Sequence, residues 1–164
     1  MGDCGRKVTT SGGKWGFSSG GNFGTGLYGN FEHTLDAKGR LILPARFRPA
    51  FSEGGYLTRH YEGSLAMYLP EDFQRIAAEH SFLTQSLERS ERDRARVFFD
   101  GVDQFTMDGQ GRILLSAKHR EFARITDSAF FLGSSTFIEI WNIDHYRART
   151  KSAAEILDPD SLSE

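Results

Sequence analysis

Residues 35–48 read LDAKGRLILPARFR, and 72 positions later residues 107–120 read MDGQGRILLSAKHR. An aspartate, a glycine, a leucine, an alanine and two arginines are identical at matching positions, well beyond what composition alone would produce. A solenoid would need more copies than two. The repeat therefore predicts a pseudo-symmetric pair of units that share one fold.

Each copy has the pattern of a strand that enters a tight turn. Before the turn, apolar and polar residues alternate over 31–35 and over 104–107, which is the period of a half-buried β-strand. The turn aspartate can bond the backbone two residues on, and the turn glycine can adopt the positive φ of a short hairpin loop. We expect these structural roles for Asp36, Gly39, Asp108 and Gly111.

After each turn the chain returns as a short apolar strand, 41–43 or 113–115, and we expect a short helix to follow. Pro44 and Ser116 stand where these helices would begin, as a first residue and as a cap. Pro49 should kink or shorten the first helix. Helical spacing predicts that one set of side chains faces inward: Phe47, Ala50 and Phe51 in the first copy, and His119, Phe122 and Ala123 in the second.

The rest of the folded part extends the duplication. We place the first repeat at 28–81 and the second at 100–150, because an apolar strand before a helix start recurs at 65–69 and 137–141. Residues 82–99 contain no glycine or proline and mix charges of both signs, which predicts a connecting helix. The expected fold class is α+β.

The two ends of the chain differ in composition from its centre. Residues 1–27 hold 9 of the 18 glycines, with serine and threonine filling much of the rest, which is typical of a disordered extension. From Ala154 onward there are four acidic residues and no basic one. We therefore expect a solvated acidic tail over 151–164.

Composition excludes several classes of protein. A chain of 164 residues with 38% hydrophobic residues and a mean hydropathy of -0.44 is too polar for a membrane protein. The charges nearly cancel, 20 Lys+Arg against 22 Asp+Glu, so a nucleic-acid partner would need a local basic face. The single Cys4 cannot form an internal disulfide or a cysteine-rich zinc site, and it suits a reducing cytoplasm. We expect no metal, cofactor or membrane partner.

Arginine follows the glycine in both turns, although the turn itself does not need it there. In one interpretation Arg40 and Arg112 pair with the turn aspartates across the hairpin. In the other they form a face that grips phosphate or reads guanine O6 and N7 with both donors. Basic residues exceed acidic ones by three over 35–60 and by two over 106–126, so both excesses centre on the repeat. The repetition favours the second interpretation.

Catalysis is the weakest hypothesis. The sequence has no nucleophile elbow and no glycine-rich phosphate loop that opens a long helix. His33 near Asp36 is the one pair that could act as a base and its orienting group, and its test is whether an open cavity brings the two side chains together. We expect no enzyme and no small-molecule substrate.

Residues 32–48 closely resemble the amino-terminal signature of the MraZ family of bacterial transcriptional regulators, and residues 107–115 resemble its second signature. The resemblance implies tandem AbrB-like swapped-hairpin units in one chain. It also implies ring-shaped homo-oligomers that repress their own division and cell wall gene cluster through direct repeats in its promoter. The arginine that the family uses on DNA maps onto Arg40 and Arg112. Ser116 and His119 depart from the first copy's pattern.

We therefore expect a sequence-specific repressor of transcription, located in the cytoplasm on the nucleoid, whose partners are double-stranded promoter DNA and copies of itself. Arg40 and Arg112 would enter the major groove while five other cations neutralise phosphates. Those five are Lys38, Arg46, Arg48, Lys118 and Arg120. The alternative is a ring-forming protein scaffold whose repeated turns are subunit contacts.

Overall fold

The computed structural model describes residues 26–158, and within them the predicted α+β class is confirmed. None of the helices in this range is long and apolar enough to cross a membrane. The strands are β1 (Leu27–Thr34), β2 (Arg40–Ile42), β3 (Gly55–Arg59), β4 (Leu65–Tyr68), β5 (Asp103–Phe105), β6 (Arg112–Leu114), β7 (Ser128–Ser135) and β8 (Phe137–Trp141). The helices are α1 (Pro70–Leu83), α2 (Arg89–Asp100), α3 (Ala117–Ala123) and α4 (Ile143–Ile156).

The two copies of the repeat are interleaved in one antiparallel sheet with the strand order β1-β7-β8-β4-β3-β5. The 72-residue offset makes β1 equivalent to β5, β3 to β7 and β4 to β8, so the order is symmetric about the β8–β4 pair. The first strand of each copy pairs with the other copy: β1 lies beside β7, and β5 lies beside β3. Separating the copies would therefore break the sheet at several places.

The two returning strands form a separate ribbon. β2 and β6 pair with each other in antiparallel register, with Leu41 opposite Ile113. The side chains of this central pair are fully buried against the six-stranded sheet, in a core that also contains Phe47, Phe51 and Phe131. Because alternate residues of a strand face opposite sides, the residues beside the central pair face outward.

A second, smaller core lies on the sheet face that α1 covers. Phe73 of α1 is stacked on Tyr56 with ring centroids 4.1 Å apart, and it also contacts Tyr68 and Phe98. α1 begins at Pro70, directly after β4, and α4 begins directly after β8 with Asn142 accepting hydrogen bonds from two backbone amides. The predicted strand-to-helix junction is thus present in both copies.

The short helix predicted after the turn forms only in the second copy. Residues 45–53 are a run of turns, because Pro49 lacks the N–H that a helix needs in its interior and its ring would clash with the carbonyl of residue 45. Phe47 and Phe51 are nonetheless buried as predicted. In α3, His119 and Ala123 face inward, whereas the prediction for Phe122 is wrong because its side chain is exposed.

The single connecting helix predicted for residues 82–99 is wrong. The chain ends α1 at Leu83, turns over 84–88 and starts α2 at Arg89. Polar groups close this turn without glycine or proline: Thr84 Oγ1 donates to the carbonyl of Ser81, and Arg92 Nη1 donates to the carbonyls of Ser86 and Leu87. The reversal forms a helical hairpin, α1–α2, in which His80 stacks on Phe98 at 3.7 Å.

The predicted boundaries at the two ends also need correction. The boundary at residue 151 falls inside α4, which continues to Ile156 with exposed side chains over its last residues. Leu27, assigned to the extension, is a buried residue of β1. The disorder predicted for residues 1–25 and the solvated tail predicted for 159–164 lie outside the described residues.

Candidate nucleic-acid interface

The first turn is closed entirely by one aspartate. Asp36 Oδ1 accepts hydrogen bonds from the backbone N–H groups of Lys38 and Arg40, each at 2.9 Å. Its second oxygen, Oδ2, accepts from Nε of Arg40 at 2.7 Å. Gly39 has a φ of 77°, so the positive φ expected of it is confirmed. The residue types of the turn thus explain its geometry.

The second turn repeats the first nearly atom for atom. Asp108 accepts from the backbone of Gln110 and Arg112 at 2.9 and 3.0 Å, and from Nε of Arg112 at 2.7 Å. The backbone N–H and then the guanidinium of Arg112 lower the pKa of Asp108 to about 2, and the same groups of Arg40 lower the pKa of Asp36. Both carboxylates are therefore charged at neutral pH and hold their arginines.

The two turns lie at opposite ends of the β2–β6 ribbon, each beside the end of the other copy's strand. Leu43 N–H donates to the carbonyl of Gly111, and Leu115 N–H donates to the carbonyl of Gly39, both at 2.9 Å. Nη1 of Arg112 lies 3.9 Å from Asp36 Oδ2, so the second arginine approaches the first turn's carboxylate. Arg40 and Arg112 therefore stand diagonally across the β2–β6 ribbon, and both guanidinium groups approach Asp36 on its outer face.

The structural interpretation of these arginines is observed in both copies, because each Nε is bound by its turn aspartate. The pairing leaves the terminal amino groups of Arg40 available, whereas Nη1 of Arg112 also lies 3.9 Å from Asp36 Oδ2. Within residues 26–158, no hydrogen bond to either Nη group of Arg40 is formed, and the side chain is about a third exposed. A guanidinium held at Nε presents its Nη edge in one orientation.

Arg48 and Arg120 are built into the turns instead of extending into solvent. A β-carbon on Gly39 would lie 3.1 Å from Cζ of Arg120, and one on Gly111 would lie 2.7 Å from Nε of Arg48. Each of these arginines thus packs on the turn of the other copy. Arg48 Nε donates to the carbonyl of Leu43 at 2.8 Å, while Nε of Arg120 is buried with no partner in the described chain.

This packing gives a prediction for the turn glycines. Gly111→Ala should lower the free energy of unfolding by about 1 to 2 kcal/mol, because φ is 73° and the methyl group would meet Arg48. Gly109→Ala is the matched control, since a β-carbon there has open space around it. Urea unfolding of both variants is the measurement, and equal stabilities would contradict the packing role.

The remaining predicted phosphate contacts differ between the copies. Lys38 and Arg46 of the first copy are exposed. Their counterparts are Gln110, which is uncharged, and Lys118, whose Nζ lies 2.7 Å from Asp103 Oδ1 and donates to the carbonyl of Asp100. The first copy therefore presents more available positive charge around its turn than the second.

Comparison with known proteins identifies the family to which these two turns belong. The sequence matches the MraZ protein family twice, over residues 27–94 and again over residues 98–160. The chain belongs to the MraZ family. The two matches confirm the duplication inferred from the repeated turn.

Proteins named "Transcriptional regulator MraZ" resemble the chain over most of its length. The protein from Herpetosiphon aurantiacus is 37% identical over 127 residues, which cover 77% of this chain and 88% of the relative. The protein from Thermoanaerobacter sp. (strain X514) is 40% identical over 116 residues, 71% of this chain and 80% of the relative. The one from Acetivibrio thermocellus is 32% identical over 137 residues, 84% of this chain and 94% of the relative. A regulator of transcription is a non-enzymatic kind of function.

Two outward-facing residues of this MraZ-family ribbon were missed by the sequence analysis. Ile42 stands opposite Arg112, and Leu114 stands opposite Arg40, so all four side chains share the outer face. Ile42 is 40% exposed and Leu114 is 59% exposed. The alternation of the strands already carried this signal, because residues 40 and 42 point away from the buried Leu41.

Two histidines of this MraZ-family chain, His33 and His119, pack or hydrogen-bond within the fold. His119 is fully buried, with Nε2 2.6 Å from the carbonyl of Gly101 and Nδ1 3.0 Å from Ser116 Oγ, and burial lowers its pKa. His33 packs edge-on against Phe131, while Asp36 binds Arg40. In the described part of the chain, neither His33 nor Asp36 lines the cavity of about 690 Å³ beside the helical hairpin or the cavity of about 410 Å³ beside β5. The two side chains considered as a catalytic pair thus contact different groups, Phe131 and Arg40.

The Asp108 pairing predicts a specific acid titration. The carboxylate should stay charged far below its ordinary pKa of 3.8, with a midpoint near 2. The stabilisation it contributes should be full above about 3.8 and should be lost as the pH falls from there through about 2. Arg112→Lys should keep most of the depression, because the largest cause is the backbone N–H of residue 112. Carbon NMR of the carboxyl group measures both midpoints. A midpoint near 4 in the parent chain would contradict the described turn.

A second surface lies on the opposite side of the sheet from the ribbon. A cavity of about 690 Å³ opens between the helical hairpin and the sheet, with walls that include Tyr61, Tyr68, Phe98 and Phe137. Phe82 is 78% exposed and Leu87 is 97% exposed at the tip of the hairpin. Exposed apolar side chains clustered around an apolar groove are typical of protein contact surfaces.

Proposed function

We propose that this MraZ-family regulator is a sequence-specific DNA-binding repressor of its own division and cell wall gene cluster. It acts on direct repeats in the promoter and works on the nucleoid, in the cytoplasm, without a cofactor. The observation that carries the proposal is the pair of oriented arginines on the outer face of a two-stranded ribbon. The major groove of B-DNA admits such a ribbon.

Arg40 and Arg112 supply the base contacts in this proposal. Guanine presents two acceptors, O6 and N7, to the major groove, and a guanidinium can bind both at once. Because Nε of each arginine is bound by Asp36 or Asp108, the two Nη groups face the DNA end-on. Fixing the guanidinium before binding reduces the entropy lost on recognition.

Other cations hold the ribbon to the phosphates. Lys38 and Arg46 are free to reach the backbone, and Arg48 and Arg120 add positive charge beneath the turns. Lys118 contributes less, because Asp103 already neutralises it. We infer that the first copy supplies more of the salt-dependent affinity.

The interleaved strands support a swapped-hairpin pair of the AbrB type. Such a pair exchanges elements between its two halves, and here β1 and β5 each pair with the other copy. The β2–β6 ribbon, with one strand from each copy, supports the same inference. A single chain would then present one DNA-binding surface with pseudo-twofold symmetry, the β2–β6 ribbon.

We further propose that copies of the chain assemble into a ring through the helical hairpin and the groove beside it. Phe82 and Leu87 are too exposed for residues of a monomer's core. A ring places the ribbons of several subunits opposite several promoter repeats. Because the subunits are joined, binding of one ribbon raises the occupancy of neighbouring repeats that bind weakly on their own.

The self-assembly predicts the behaviour of a hairpin variant. Phe82→Ser should raise the concentration at which the assembly dissociates by about tenfold, the loss typical of one apolar contact residue. Ile156→Ser is the matched control, because Ile156 is 73% exposed but lies at the end of α4. Light scattering over a dilution series measures the mass, and an unchanged profile for Phe82→Ser would contradict this surface.

A reporter fused to the DNA upstream of the chain's own coding sequence tests repression itself. Supplying the protein should lower reporter output, and the Arg40→Ala, Arg112→Ala double variant should restore it at equal protein level. Full repression by the double variant would contradict the role of the arginines. Unchanged output with the parent protein would contradict repression at this promoter.

The competing function is a ring-forming scaffold without specific DNA binding. The observation that favours it is that both arginines already have intramolecular partners, as residues with a purely structural role would. In that case Arg40→Ala should shift the assembly size on a sizing column, and the parent protein should bind all DNA sequences weakly and equally.

A further inference from the structure

The outer face of the β2–β6 ribbon combines two cationic and two apolar side chains in a symmetric pattern. Arg40 and Ile42 lie on one strand, and Arg112 and Leu114 lie on the other. Each arginine is opposite an apolar residue. Ile42 and Leu114 are also equivalent positions of the repeat, 72 residues apart. Both copies therefore place a branched aliphatic residue two positions after the arginine.

Burial within the chain does not explain these two aliphatic side chains. The ribbon is anchored by Leu41 and Ile113, which are fully buried on its inner face. Ile42 and Leu114 keep a large part of their surface in water, as their exposure shows. Leu114 borders a shallow cavity of about 410 Å³ that also includes Thr106 and Ser116. Leu114 also lies opposite Arg40 on the outer face, so its exposed apolar surface is open to a ligand that approaches this arginine.

We propose that Ile42 and Leu114 contact the 5-methyl groups of thymines in the major groove, beside the guanines contacted by Arg40 and Arg112. This inference rests on the proposed DNA-binding function and specifies which bases the ribbon reads. The 5-methyl of thymine is the apolar group that base edges present in the major groove. An arginine beside an aliphatic side chain matches a guanine beside a thymine.

The spacing of the ribbon fits adjacent bases. Opposite residues of an antiparallel pair lie roughly 4.5 to 5.5 Å apart, and alternate residues of one strand lie about 7 Å apart. Successive bases of one DNA strand are separated by about 3.4 Å along the helix axis. Each aliphatic side chain is therefore about one to two base steps from an arginine. The repeat should contain thymine within two steps of each contacted guanine.

Deoxyuridine substitution tests the methyl contact directly, because it removes the 5-methyl group and leaves base pairing intact. Promoter fragments are made with thymidine or with deoxyuridine throughout, and affinity is measured for the parent protein and for the Ile42→Ala, Leu114→Ala double variant. The parent should lose about fourfold in affinity for each contacted methyl group. The double variant should bind the two fragments equally, since it lacks the aliphatic side chains that would contact the methyl groups.

Arg46→Ala is the matched control, since it alters a predicted phosphate contact and should keep the full sensitivity to deoxyuridine. Thermal unfolding checks that the double variant is folded, which we expect because both positions are exposed. Equal affinity of the parent protein for the two fragments would overturn the thymine contact. An equal loss in the parent and the double variant would also overturn it, because the methyl group would then act through DNA shape.

Failure of the underlying function gives a different result. If the parent prefers its promoter over scrambled DNA but ignores deoxyuridine, the DNA-binding function stands and the thymine contact is wrong. If the parent shows no preference for the promoter, sequence-specific binding itself is wrong, and the thymine contact falls with it.

Discussion

Leu41→Ala is expected to lower the free energy of unfolding by about 2 to 5 kcal/mol. Leu41 is fully buried at the centre of the ribbon, opposite Ile113 of the other copy, and it packs into the core shared by both sheets. Removing its side chain leaves a cavity at the point where the two copies meet. The loss should therefore affect the whole fold and not one repeat.

Ile42→Ala is the control for this prediction, because it lies on the same strand with its side chain on the outer face. Its cost should be about 0.5 kcal/mol, the range for surface substitutions. Urea unfolding at fixed protein concentration measures both, with unchanged slopes as the sign of a common unfolded state. Equal losses for the two variants would contradict the assigned faces of β2.

Arg40→Ala should weaken binding to the promoter repeat by about 1 to 3 kcal/mol per site, roughly a 5- to 150-fold loss. The loss on scrambled DNA should be much smaller, because a base contact exists only on the correct sequence. The stability of the fold should change little, since the turn keeps the backbone hydrogen bonds to Asp36.

The matched control for Arg40→Ala is Arg46→Ala, an exposed cation after the same turn. Loss of a phosphate contact should weaken binding to all sequences alike and reduce the slope of affinity against salt concentration by about one. If Arg40→Ala gave this uniform pattern, Arg40 would be a phosphate contact and the specificity would come from other residues.

The turns were predictable because their geometry depends on residues close in sequence. An aspartate that caps its own loop and a glycine at positive φ are local requirements, and both turns satisfy them. Partner choice among the strands is not local. Alternation shows that β1 and β5 are strands, but it does not indicate that each pairs with the other copy.

The prediction of one connecting helix failed because side-chain hydrogen bonds, and not glycine or proline, end the first helix there. The break at 84–88 contains no glycine or proline, and the side chains of Thr84 and Arg92 satisfy the backbone carbonyls there. In the first copy Pro49 excludes the helix that forms as α3 in the second copy. Lys118 and Arg120 contact Asp103 and Gly39, which are distant in sequence. The sequence therefore could not show that these two cations are less available to phosphates.

The central claim is that the chain recognises a DNA sequence, and binding to its own upstream promoter fragment against a scrambled fragment at two salt concentrations tests it most directly. We predict a large preference for the promoter that persists at the higher salt, because base contacts release few counterions. Equal binding to both fragments that falls steeply with salt would contradict the claim and leave only the electrostatic attraction of the basic turns.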